Sequence, residues 1–541
     1  MGTSGLPAAP RRSIKETSSL ANIKGPSVHD TPRNVLFITV DQWRGDCLGA
    51  MAHPCLRTPR LDQLAREGCL FRRHYGQTAP CGPARASLLT GQYLMNHRVV
   101  DNGTPLDAGF SNIALEVRRH GLEPTLIGYT DQTPDPRGLP PADPALNTYE
   151  GVLPGFSAYL HQTEDARPWL AWLRALGYPE PLDVEHIYRH QENYPGAAER
   201  GPTFPPARYP AEHSDTAFIT DTALGWLQNQ VGQPWFLHLA YLRPHPPWVV
   251  PEPYHDHYHP EAVPPPLRDP PLSHWQAQHP YLDWHLRRHS QRSFLPGGSR
   301  LAATVGLDAA LQARASYFGL MAELDRQIGR LLDYLATSDQ EDRTLVVFTS
   351  DHGEHLGDRY LWGKHGYFDE AYHIPLLIRD PHGITGRVVD AFSEAVDLMP
   401  TLLDWLGFPV PAQCDGTSLL PWLRGEHPAR WRDAVHWEFD FREIHGRAAQ
   451  PLGLPPDQCQ LAVLRDEDYK YVHFPSLPGL LFDLRADPWQ CRNLAAEPAQ
   501  AARVRDHAQR MLSWRILHAD RRLANLQAGP GGVQTWHGSR Y

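Results

Sequence analysis

Residues 34–41 read Asn-Val-Leu-Phe-Ile-Thr-Val-Asp, and this stretch decides the architecture. Its apolar and β-branched side chains run together without the alternation of a half-exposed strand. That is the pattern of a strand buried on both faces of a parallel sheet. Asp41 follows at once, where such a strand ends. Downstream, Thr58 and Pro59 supply an N-cap and a proline at the first helical position, for a helix that runs through Glu67 and closes at Gly68. A strand followed by a helix predicts the α/β class.

The same grammar recurs along the chain. A helix is expected over 217–230, a strand over 235–241 and a helix over 316–335, where Leu320, Leu324, Ile328, Leu331 and Leu335 make an apolar stripe at helical spacing. Residues 344–350 (Thr-Leu-Val-Val-Phe-Thr-Ser) are a second buried-type strand, ending in Asp351-His352, and 374–378 are a third. Beyond about residue 411 the pattern weakens into short strand-like pieces at 461–464 and 469–472. The expected fold is α/β: a large mixed, mostly parallel sheet flanked by helices, with a smaller C-terminal antiparallel-sheet subdomain. The expected divisions are a disordered extension over 1–33, a catalytic domain over 34–410, an α+β subdomain over 411–495, and a helix (499–523) with a Gly-rich tail over 496–541.

Composition narrows the function. The formal charge of −10 comes without a long run of either sign, so no nucleic-acid footprint is expected and the ligand should be small. Seven cysteines, odd in number and lacking zinc-like spacing, indicate neither a disulfide scaffold nor a structural zinc site. With no apolar leader and no window able to span a bilayer, a cytoplasmic protein without membrane contact is expected. The 53 prolines gather at 134–144, 202–210 and 244–271, loops expected to wall a substrate pocket.

Active sites of open parallel sheets lie just past the carboxyl ends of the strands. Asp41-Gln42 and Asp351-His352 stand there, offering two carboxylates, an amide oxygen and an imidazole. This donor set suits a hard or borderline divalent cation, and the imidazole favours Mn²⁺, with Ca²⁺ as the alternative. Between them lies Cys81-Gly82-Pro83-Ala84-Arg85, followed by Ala86-Ser87-Leu88-Leu89-Thr90-Gly91. Pro83 suits the first turn of a helix, whose free N–H groups favour negative charge. A nucleophile at Cys81 would therefore face an anion.

Taken together, the strand ending in Asp41-Gln42, the Cys81-x-Pro83-x-Arg85 signature with Leu89-Thr90-Gly91, and the strand leading to Asp351-His352-Gly353-Glu354 resemble the sulfatase family of the alkaline phosphatase superfamily. Leu481-Phe482-Asp483-Leu484, Asp487-Pro488 and Asn493-Leu494 look like that family's C-terminal subdomain, so the resemblance spans about residues 34–494. It implies an alkaline phosphatase-like fold and a metal-dependent hydrolase of small anionic esters. It further implies that Cys81, also a metal ligand, is converted to formylglycine by a formylglycine-generating enzyme. One hydroxyl of the hydrated aldehyde would attack sulfur or phosphorus as the ester oxygen leaves; the other would then lose its proton, and the covalent adduct would collapse back to the aldehyde, releasing the acid.

The resemblance also assigns roles residue by residue. Arg85 would hold the diol. Lys364, in Gly363-Lys364-His365-Gly366, and His245, in Arg243-Pro244-His245-Pro246-Pro247, would grip the transferring oxyanion or protonate the leaving oxygen. Asn102 would contact substrate. Asp41-Gln42-Trp43-Arg44 and Asp351-His352 are more similar to the phosphonate monoester hydrolase and phosphodiesterase branch than to familiar sulfatases, as are Gly128-Tyr129-Thr130 and the run Met511-Leu512-Ser513-Trp514-Arg515. Tyr129 matches a pocket tyrosine of that branch. Asp131 departs from it, standing where a threonine is usual, and would repel an anion unless paired with a cation or protonated.

The expected activity is phosphonate monoester or phosphodiester hydrolysis with promiscuous sulfatase activity; an arylsulfatase is the alternative. An unmodified Cys81 would point instead to a phosphomonoesterase or transferase with a second metal, for which no further paired Asp/His cluster is visible. A catalytically silent relative would have lost part of the set Asp41, Cys81, Arg85, Asp351 and Lys364, all of which are present. The segment after Leu494 is the expected place for contacts in a homo-oligomer.

Overall fold

The computed structural model describes residues 1–2, 33–295, 298–444, 446 and 449–535. The extension expected to be disordered lies, apart from its ends, outside the described residues. The main sheet has eight strands: β1 (Asn34–Asp41), β2 (Cys69–Phe71), β3 (Pro124–Gly128), β4 (Ser157–His161), β5 (Phe236–Pro244), β6 (Thr344–Ser350), β7 (Leu376–Arg379) and β8 (Arg387–Val389). Their order is β4-β3-β5-β1-β6-β7-β2-β8. All neighbours run parallel except β7, which is antiparallel to both β6 and β2.

All eight residues of β1 are buried, as its unbroken apolar run requires of a strand with neighbours and covering layers on both sides. Leu36, Ile38 and Val40 enter one core cluster while Val35 and Phe37 enter another, so the strand's twofold period separates the two faces of the sheet. Each such burial contributes about 1.5–3 kcal/mol. One face carries α1 (Pro59–Glu67), α3 (Asp215–Gln228) and α4 (Leu307–Thr337); the other carries α2 (Cys81–Thr90) and α5 (Leu398–Leu406). The stripe from Leu320 to Leu335 is buried in the first of these cores.

Several expectations shift in detail. Thr58 does not cap α1: its hydroxyl donates to Asp62 Oδ1 (3.0 Å) and accepts from the Gly49 N–H (2.9 Å), tying the preceding loop to the helix. Ser214 caps α3 instead, accepting from the Ala217 N–H at 3.0 Å, so that helix begins before residue 217. Helix α4 begins at Leu307 rather than 316. Four strands, β9 (Ala434–Asp440), β10 (Gln460–Asp466), β11 (Tyr469–His473) and β12 (Leu480–Asp483), form a separate sheet with every neighbour antiparallel. Helix α6 (Ala501–Leu517) packs on it through Met511 and Trp514. The Gly-rich tail is not featureless: Leu526–Gly529 pairs with Gly532–Thr535 as a hairpin. None of the seven cysteines is in a disulfide, and among the described residues no helix is long and apolar enough to cross a membrane.

Glu323, on α4, is a buried carboxyl. Burial pushes it up to about 8, opposed by the Ser214 hydroxyl that donates to it. The folded chain thus holds a proton that the unfolded chain has lost above about pH 4.5. This stabilisation is full below that pH and fades as pH rises to about 8. Glu323→Gln should flatten that part of the wild-type decline. Urea unfolding at several pH values measures it: the variant's gain over wild type should grow with pH, by up to a few kcal/mol, and a constant difference would contradict the assignment.

Candidate active site

Both expected metal pairs meet at the carboxyl ends of adjacent strands. Asp41 closes β1 and Asp351 follows β6, so the parallel register brings their side chains together. One atom each from Asp41, Cys81, Asp351 and His352 lies within 4.8 Å of the others, and all four residues are buried. His352 Nε2 stands 3.3 Å from Cys81 Sγ and 3.7 Å from an oxygen of each carboxylate. Cys81 opens α2, every residue of which is buried. Pro83 sits in its first turn, where a missing N–H costs nothing.

Arg85, one turn along α2, is 1% exposed and ringed by acceptors. Its Nε lies 3.1 Å from Asp351 and 3.6 Å from Asp131, and its Nη2 lies 3.4 Å from Asp41. The guanidinium also stacks on Tyr129 at 4.1 Å, while the Tyr129 hydroxyl donates to Asp41 Oδ2 at 2.7 Å. This is a structural cation with three carboxylates, not a surface ion pair. Asp131 is accordingly paired on one oxygen, while Oδ1 has no hydrogen-bond partner. Burial pushes its carboxyl well above the usual range, Arg85 opposing. The cation that makes an acid in this place tolerable to an anion is therefore present as Arg85.

Lys364 donates to Cys81 Sγ (3.0 Å) and to Gln42 Oε1 (3.1 Å). Burial works against its charge, but Cys81, Asp41 and Asp351 outweigh it and hold the ammonium above the ordinary lysine range. Burial would likewise raise Asp41, but His245, Lys364, His352 and Arg85 together keep that carboxyl well below its usual value. His245 Nδ1 faces the Pro246 carbonyl at 2.6 Å, and burial lowers its ring. Asn102 Oδ1 accepts from the Gly82 N–H at 2.9 Å, so its described contact anchors the start of α2. A Cβ on Gly82 would come within 3.1 Å of that oxygen and 3.2 Å of the Asp131 carbonyl, leaving little room for any larger residue beside Cys81.

Gln42 and Asp131 have left-handed backbones, φ 68° and 50°. Such non-glycine strain costs about 1–3 kcal/mol and persists only where the surroundings enforce it. At Gln42 the enforcement is visible: its N–H donates to Asp351 Oδ1 (3.1 Å), and its carbonyl accepts from the Tyr317 hydroxyl (2.6 Å). Glu354 accepts from the Gln42 amide nitrogen, which turns Oε1 toward Lys364. Glu354 also accepts from the Gly363 N–H at 2.6 Å, next to Lys364. Sequence reasoning placed Glu354 in a motif but gave it no task; the geometry makes it the residue that orients both Gln42 and the lysine loop.

A cavity of about 340 Å³ begins at Pro80 and Asp101 and is lined by Tyr281, Trp284, Phe439 and Phe441. Of the three proline-rich stretches none lines this cavity, but 244–271 brings His245 to the site, where it acts on Asp41. The short helix Pro280–Leu286 and the end of β9 supply its walls instead.

The sulfatase family model matches residues 33–408, and a model of the N-sulphoglucosamine sulphohydrolase C-terminal region matches 357–516. A multifunctional alkaline phosphatase superfamily protein, PehA, of Trinickia caryophylli is 44% identical over 515 residues, covering 93% of this chain and 99% of that protein. An arylsulfatase of Clostridium perfringens is 28% identical, covering 88% and 93%. The phosphonate monoester hydrolase of Agrobacterium radiobacter superposes with a TM-score of 0.89 at 46% identity, covering 94% of this chain and all of the other.

Proposed function

Because the chain belongs to the sulfatase family of the alkaline phosphatase superfamily and is an ester-hydrolysing enzyme, we propose that it cleaves small anionic esters through a formylglycine made from Cys81. Phosphonate monoesters and phosphodiesters lead in this reading, with sulfate esters as secondary substrates. The observation that carries it is the meeting of Cys81 with Lys364 at 3.0 Å and His352 at 3.3 Å, beside two buried carboxylates.

The donor set fits a divalent cation. Two carboxylates, an imidazole nitrogen and residue 81 converge, with the Gln42 amide oxygen turned toward the same lysine, and such oxygen-rich ligation with one nitrogen suits Mn²⁺, Ca²⁺ being the alternative. Asp41, Gln42, Asp351, His352 and residue 81 would hold such an ion, which would supply positive charge to the nucleophile and to the transferring group. A hydrated formylglycine supplies a nucleophile whose second hydroxyl, once deprotonated, releases the product.

The remaining residues do the positioning. Lys364 holds the oxyanion, reaching it from beside residue 81. His245 grips the other side or protonates the leaving oxygen. Arg85 fixes both carboxylates, Tyr129 orients Asp41, and Asn102 secures the turn that presents residue 81. The aromatic cavity takes the ester's organic group.

The preference for phosphorus follows the 46% identical phosphonate monoester hydrolase and the Gln42, Tyr129 and His352 set; the 28% identical arylsulfatase supports the sulfate reading. All three ester types are monoanions, so charge does not separate them. Parallel kinetics on an aryl phenylphosphonate and an aryl sulfate should give the higher kcat/KM for the phosphonate. The reverse order would make the protein an arylsulfatase.

A further inference from the structure

Beside Lys364, three imidazoles converge that the ester chemistry does not use. His285 and His289 lie four apart on one helical turn, the His289 N–H donating to the His285 carbonyl at 3.0 Å. That spacing puts both rings on one face, and they stack with centroids 5.0 Å apart. His365, next to Lys364, meets them edge-on at 5.6 and 5.9 Å. One ring nitrogen from each lies within 4.8 Å of the other two.

Ordinary packing leaves a debt in this cluster. His285 Nε2 and His365 Nδ1 are buried without a hydrogen-bond partner, although buried polar atoms are nearly always paired. Burial, helped by neighbouring imidazoles, pushes His289 down to about 4 and His365 to about 3, and holds His285 well below its usual value. The rings are therefore neutral near pH 7, with lone pairs to offer. Three neutral nitrogens without a carboxylate are ligands for the zinc class (Zn²⁺, Co²⁺, Ni²⁺), not for Ca²⁺ or Mg²⁺. A tetrahedral site with Zn–N bonds of about 2.0–2.1 Å has nitrogens about 3.3 Å apart, so small ring rotations would close the 4.8 Å spread. All three histidines line the 340 Å³ cavity that starts at Pro80, which gives an ion a way in and a fourth ligand a place to stand.

We propose that His285, His289 and His365 form a second metal site, separate from that of Asp41 and Asp351, which takes a zinc-class ion and leaves one position open to the cavity beside Cys81. No such cluster was visible along the sequence, because the pair and its third member are 76 residues apart.

The test is metal stoichiometry on the full-length protein, titrated with Co²⁺ after its resident metal is in place. Wild type should rise from about one ion per chain to about two, with the visible absorption of tetrahedral Co²⁺; His289→Ala and His289→Gln should stay at about one and lack that band. The retained first ion and an unchanged circular dichroism spectrum report that the variants fold. Asp351→Asn should do the converse, keeping the Co²⁺ band while losing the first ion, which separates this site from the nucleophile's. Absence of the band in wild type, or its survival in both His289 variants, would overturn the proposal.

Discussion

Replacing Cys81 by alanine is expected to lower kcat/KM on the order of 10⁴-fold or more, since on the proposed mechanism it removes both the group that bonds to the ester and one of the metal ligands. Cys81→Ser is the more informative change. A serine hydroxyl can attack, but the ester it forms has no second hydroxyl through which to collapse, so turnover should stop after about one equivalent of leaving group. Rapid-mixing kinetics should show this burst, and intact mass should show the trapped adduct. In wild type from a host with the converting enzyme, the peptide holding residue 81 should be lighter than its cysteine form by about 18 Da. Steady turnover by Cys81→Ser, or an unmodified thiol in fully active protein, would each refute the aldehyde mechanism.

Arg85→Ala should destabilise the metal-free protein by about 3–5 kcal/mol, because it strands Asp41, Asp131 and Asp351 around a vacated position in the interior. Loss of the stacking on Tyr129 adds to this, and with it the alignment of the Asp41 carboxylate. Activity should fall about 10²–10³-fold, the scale of losing one preorganised electrostatic contact. Arg85→Lys should restore part of the stability, since a point charge returns without the fork that reaches several carboxylates at once. Urea unfolding with and without divalent metal checks this. A midpoint equal to wild type in the metal-free Arg85→Ala variant would show that the three carboxylates do not depend on the arginine.

Both strand ends that carry the site were legible because a buried strand is written as an unbroken apolar run, and the first polar residue after it marks its end. Asp41 and Asp351 stand there, and the parallel pairing of β1 with β6 did the rest. Cys81 was legible through Pro83 and the helix it opens. Strand direction was not: an apolar run looks the same read either way, so the reversal of β7 is set by contacts made far along the chain. Glu354 escaped for a related reason. Its partners are the Gln42 amide and the Gly363 N–H, and the first of these lies 312 residues away. The left-handed turn at Gln42 was equally hidden, since glutamine carries no preference for it and only Asp351 and Tyr317 hold it there.

The complete burial of α2 has a bearing on timing. All ten of its residues are inside, and Cys81 is 2% exposed. An enzyme that oxidised residue 81 would have to reach a side chain that the finished fold buries. On the proposed mechanism, conversion would therefore compete with folding as two clocks started together at synthesis, and a chain that folded first would keep its thiol. The active fraction of any preparation would then be set by how quickly the helix docks relative to how much converting enzyme is at hand, and slowing folding by growth in the cold should raise it.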